Sequence, residues 1–150
     1  MNTKVKQSKH LTEGATLLME TIKTPAKLLN FLVESLWWMD EFRIENKEVP
    51  ESFEPRIIIE HIVQPWFAGG ENVKEKIAEG IHNVRDCIGA EGYREYISKM
   101  VQAFGLNIKT GIYNNVDKFL QPMSTMIKLS LMIDAYELEL FKKNNISKAA

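Results

Sequence analysis

Cysteine is almost missing from this chain. Cys87 is the single one in 150 residues, so no disulfide can form within it, and the composition suits a reducing compartment. An excess of one charge is missing too. Nineteen Lys and Arg against twenty Asp and Glu leave a formal net charge of −1, so bulk electrostatics gives no pull toward nucleic acid or an acidic membrane. Long apolar runs are absent. The longest mostly apolar stretch, Leu28 to Met39, carries Asn30, Glu34 and Ser35, and a membrane span needs about 20 apolar residues. Met1 to His10 is polar and basic, with no apolar segment of a secretory leader behind it. The expected location is therefore cytoplasmic.

Chemical signatures are equally sparse. Histidine occurs at His10, His61 and His82 only. A di-metal helical bundle needs two Glu-x-x-His pairs, and Glu79 with His82 makes just one. No His-Glu-x-x-His, paired-cysteine, Gly-x-Ser-x-Gly, Walker A or dinucleotide motif is present, so no metal and no cofactor is expected. Gly69-Gly70 lacks the Lys and Ser/Thr of a phosphate cradle and reads as a helix breaker. His82 lies opposite the apolar stripe of its helix and should face solvent. Cys87, at the margin of that stripe, reads as a small core residue.

What the sequence has is helical periodicity. At 150 residues the chain fits one domain with a real core. Its pattern is that of an all-α, single-domain bundle of about six helices over residues 11–143, between a flexible basic arm (1–10) and a frayed tail (144–150). Thr24-Pro25 is a strong start for helix 2, since Thr caps free N–H groups and Pro suits the first position. Glu54-Pro55 starts helix 3, Pro65 should kink or end it, and Gly69-Gly70 closes it. Val73, Ile77, Ile81, Val84 and Ile88 form the stripe of helix 4, which should end at Gly89. Gly80 at the stripe's edge should let a neighbour approach closely. Helix 5 should stop at Gly105. The two longest helices, about 25–46 and 114–143 (kinked near Pro122), are apolar around most of their circumference.

Four features bear on function. Arg56 and His61, with four residues between them, resemble the Arg-x4–6-His motif of HEPN-type ribonucleases, small helical proteins in which Arg and His from two subunits meet to cleave RNA. The likeness spans six residues, and Ile57 stands where that family has a polar residue. Residues 97–118 resemble a helix-turn-helix segment, with Lys99, Lys109 and Lys118 as phosphate contacts. Gly111 stands where an apolar anchor is usual, and an ordinary helix–loop–helix corner explains the same residues. Asp134 falls on a nearly all-apolar helix, either as a buried carboxylate or in a narrow solvated seam with Ser130 and Glu137.

The fourth feature carries most weight. On a helical wheel Trp38 falls within helix 2's polar stripe, between Glu34 and Glu41, flanked by Phe31 and Phe42. A Trp on a solvated face is what an interface anchor looks like. Trp66 follows the Pro65 break, and helix 6 adds Met123, Met126 and Met132. The expected function is a non-enzymatic protein-interaction module, a homo-oligomer or a small subunit of a larger assembly, with Phe31, Trp38, Phe42 and Trp66 on its face. Nucleic-acid binding through 97–118 and ribonuclease action through Arg56 and His61 rank behind it.

Overall fold

The structure, a computed structural model, describes residues 7–46, 54–109 and 117–149, with side chains over 7–40, 55–106 and 117–144. Every element among these residues is helical. Helix α1 is Lys9–Thr21, α2 is Pro25–Asn46, α3 covers 54–68, α4 is Val73–Lys109 and α5 is Asp117–Ala149. The all-α bundle expected from periodicity is what forms, with five helices rather than about six.

The difference in count comes from glycine. At Gly89 the backbone turns to φ 74°, ψ 165°, a conformation that suits a residue without a Cβ. The two arms of α4 meet at this kink with no intervening loop. At Gly105 nothing of the kind happens, and the helix runs on to Lys109. Glycine permits a stop but does not impose one, and Gly105 keeps the helical turn. The tail also extends the pattern, since the α5 backbone is helical to Ala149. Lys9 and His10 belong to α1, capped by the Ser8 side chain accepting the His10 N–H. Residues 114–116, expected to open the last helix, lie outside the described residues, and Pro122 sits within α5.

Proline shapes α3. Its first turn, Glu54–Ile58, passes into a π-helical turn, Ile59–Val63, before α-helix resumes at Gln64–Ala68. Pro65 has no N–H to give the carbonyl four residues back, and its ring crowds that carbonyl. The carbonyl is that of His61, and widening the turn accommodates it. Gly80 of α4 packs against this spot. A Cβ there would stand 2.0 Å from the His61 carbonyl oxygen, so the close approach expected of Gly80 is realised.

The core runs the length of the bundle. It joins Leu11, Ala15 and Leu18 of α1 to Ile77, Ile81 and Val84 of α4 and to Met126, Leu129 and Ile133 of α5. Tyr93 donates to the Met126 carbonyl at 2.8 Å. Its hydroxyl is buried, and desolvation pushes its pKa well above the usual tyrosine value. Thr21 and Thr125 share a hydrogen bond of 2.6 Å between α1 and α5.

Candidate functional site

Three of the four residues expected on an interface are inside the bundle. Trp38 has no exposed surface, and Phe31 and Trp66 are buried. The Phe42 side chain lies outside the described residues. Trp38 is the hub of an aromatic cluster, with ring centroids 5.6 Å from Phe31, 4.9 Å from Phe104 and 5.0 Å from Phe119. Phe104 lies in the last turns of α4 and Phe119 in the first turn of α5, so residues distant in sequence cover Trp38, while Lys27 and Asn30 of the same stripe stay exposed. The buried side of α2 is Leu28, Phe31, Leu32, Ser35, Trp38 and Met39. The helical wheel puts the apolar centre at Leu29, Leu32, Val33, Leu36 and Met39; Leu32 and Met39 are buried, and the buried set as a whole is rotated by roughly a quarter-turn from that centre. Ser35 is satisfied in the core by the Leu32 carbonyl and the Tyr96 hydroxyl. Met123 and Met126, also counted as surplus, are buried as well.

The exposed apolar surface lies mainly on α5. Leu120, Ile127, Leu131, Leu138 and Phe141 are between 42% and 67% exposed. Their spacings of 7, 4, 7 and 3 put them on one side of the helix, opposite the buried Phe119, Met123, Met126, Leu129, Ile133 and Tyr136. Leu120 to Leu138 is 18 residues, about five turns and about 27 Å. Eighteen residues in five turns is the period of a straight helix, so the stripe runs parallel to the axis. The signal was present in the sequence, hidden by the apolar residues on the other side of the same helix.

Beside this stripe a polar seam ties α5 to α4. Arg94 pairs with Asp134, and Arg85 pairs with Glu137. Asp134 therefore lies in the solvated seam, not in a dry core. The Arg85 guanidinium holds the Glu137 carboxyl below its ordinary range, while Glu137 raises the pKa of Arg85. Further along, His82 Nδ1 and the Tyr136 hydroxyl are 2.6 Å apart, and His82 Nε2 is 3.0 Å from Asp86. His82 is thus half-buried and bonded on both nitrogens, not simply solvated as expected. Burial, more than the neighbouring carboxylates, pushes the Tyr136 phenol up. His82 and Tyr136 line a cleft of about 430 Å³ with Ser8, Glu79, Leu140 and Lys143. Asp86, His82 and Tyr136 can relay a proton; no Ser, Thr or Cys nucleophile contacts His82 among its hydrogen bonds.

The remaining sequence candidates fall at separate places. Cys87 is exposed, which corrects its reading as a core residue, and its Sγ is 3.6 Å from His61 Nε2. His61 sits on the π-turn at the core margin, and Arg56 is exposed. The turn expected near Gly105 is helix to Lys109, and residues 110–116 of the 97–118 segment lie outside the described residues. Among the described residues no group of three or more His, Cys, Asp or Glu is placed to hold a metal ion, and no helix is long and apolar enough to cross a membrane. No protein-family model matches the chain, and no curated protein or solved structure matches it either.

Proposed function

We propose that the chain is a non-enzymatic helical interaction module, that its contact surface is the outer face of α5, and that it pairs there with a second copy of itself. The observation that carries this reading is the spacing of Leu120, Ile127, Leu131 and Leu138. The gaps 7, 4 and 7 read the same in both directions. A two-fold axis midway between Ile127 and Leu131 sets Leu120 against the partner's Leu138 and Ile127 against the partner's Leu131. Each of these four side chains meets an apolar side chain, as an isologous contact requires, and Phe141 falls beyond them. The polar neighbours agree. Lys128 falls opposite the partner's Ser130 and Asp134 opposite the partner's Ser124, so no like charges face one another.

Size sets the strength. A strip about 27 Å long and about 10 Å wide is small beside the roughly 800 Å² per partner of a standard interface. Association is weak and depends on concentration. Sedimentation equilibrium over a broad concentration range tests it. The wild type should climb from the 17.3 kDa chain mass toward twice that value, and Leu131→Lys should stay at the lower one. A wild type that remains monomeric at near-millimolar concentration, or a Leu131→Lys chain that associates equally well, would end the proposal.

A further inference from the structure

A second cleft, of about 380 Å³, opens where the end of α1 and the starts of α2 and α5 meet. Lys23, Lys27 and Lys118 line it, together with the amide side chains of Asn30 and Gln121, above the buried Phe31 and Phe119. Among the described residues no carboxylate lines it. Among the described residues none of these three lysines stands in an ion pair.

Each lysine occupies a position that local physics disfavours. Lys23 closes α1 by donating its N–H to the Leu18 carbonyl at 3.2 Å, with φ at 75°. That left-handed position is ordinarily glycine's; a cation suits the end of a helix, but the backbone does not suit lysine. Lys27 is the third residue of α2, and its N–H is capped by the Thr24 hydroxyl at 3.3 Å. The third position of a Thr-capped helix favours Glu or Gln, which reaches back to the cap, and a cation there opposes the positive end of the helix dipole. Lys118 lies in the first turn of α5, its Nζ 4.9 Å from the Phe119 ring centre, and it too faces a positive helix end. Three such choices around one cleft concentrate positive charge there, with no described carboxylate paired to any of the three ammonium groups. Local rules broken together mark a functional place.

We infer that this cleft binds a small phosphorylated molecule carrying two or more negative charges. Three ammonium groups supply point charges with rotatable donors, and the start of a 22-residue helix adds oriented N–H groups and a positive end. The volume is that of a small-molecule site, and the amides and aromatic floor take the organic part. A long polyanion such as nucleic acid finds no support in a chain of net charge −1. The cleft's α5 residues flank Leu120 but lie on other sides of the helix from the outer stripe.

The test is calorimetric titration of the full chain, at constant ionic strength, with pyrophosphate, ATP and citrate. Pyrophosphate and ATP should bind saturably at one per chain. Lys27→Glu and Lys118→Glu should each weaken binding about tenfold, as the loss of one charged hydrogen bond does. Both lysines are exposed, so the variants should keep their helical circular dichroism. Lys27→Glu should also raise the ligand-free melting temperature, because Glu suits that helix position. Failure of both phosphates to bind at millimolar concentration, or binding that survives both substitutions, would overturn the inference. Citrate bound as tightly as pyrophosphate would overturn the assignment to phosphate.

Discussion

Helices α2 and α5 look alike in sequence and end up in opposite situations. Both are apolar around most of the wheel. Yet α2 carries Trp38, expected on its polar stripe, into the core beside Ser35 while Lys27 and Asn30 of that stripe stay exposed, and α5 keeps Leu131 and Leu138 largely in solvent. The difference is the number of neighbours. Helix α2 lies against α3, α4 and the start of α5, and the aromatic rings of Phe104 and Phe119 close over Trp38. Helix α5 packs on α1, α2 and α4 along one side, and among the described residues no helix packs along the other. An apolar helix that is covered is core, and one left uncovered is an interface in waiting.

Substitutions sharpen this contrast. The largest effect is expected at Trp38→Ala, which removes the hub of the aromatic cluster and should cost about 3–5 kcal/mol in denaturant unfolding. If Trp38 were a surface anchor, its loss would leave stability nearly untouched. Gly80→Ala comes next, at about 1–3 kcal/mol, because its Cβ would press on the His61 carbonyl and push α3 away from α4.

Smaller effects belong to the α4–α5 side. Glu137→Gln should cost less than about 1 kcal/mol at neutral pH, the range of a partly exposed ion pair. Arg85 lowers the pKa of Glu137, so the pair stabilises the fold above the ordinary carboxylate pKa and loses that contribution as pH falls through the lowered one. Wild type and Glu137→Gln should therefore converge in acid, which a pH series of thermal melts checks. Smallest of all, Leu131→Lys should change the stability of the dilute chain by no more than about 0.5 kcal/mol while removing association. A large loss of stability there would make α5's outer side part of the core.

The legible part of this fold was local. Thr24-Pro25 opens α2 because the cap and the ring act within one turn, and Gly69-Gly70 closes α3 at φ 62° and 86°. Pro65 marked the disturbed turn of α3. What could not be read was which side of an apolar helix is covered. The wheel ranks sides by polarity, and α2's polar stripe was too narrow to fix its rotation once Phe104 and Phe119 arrived from elsewhere. Gly89 and Gly105 make the same point. Alike as glycines at a helix's expected end, they part because one adopts φ 74° and the other remains helical. The stripe on α5 was in the sequence as gaps of 7, 4 and 7, but only burial of the opposite side separates it from its apolar surroundings.

The pairing of α5 with itself is tested most directly by disulfide trapping. In a Cys87→Ser background, one chain carries Leu120→Cys and another Leu138→Cys. Under mild oxidation each alone should stay monomeric on a non-reducing gel, because the antiparallel register sets each cysteine against a leucine. Their mixture should give a covalent dimer. Dimers from Leu120→Cys alone, or none from the mixture at concentrations where the parent chain associates, would contradict the antiparallel two-fold contact.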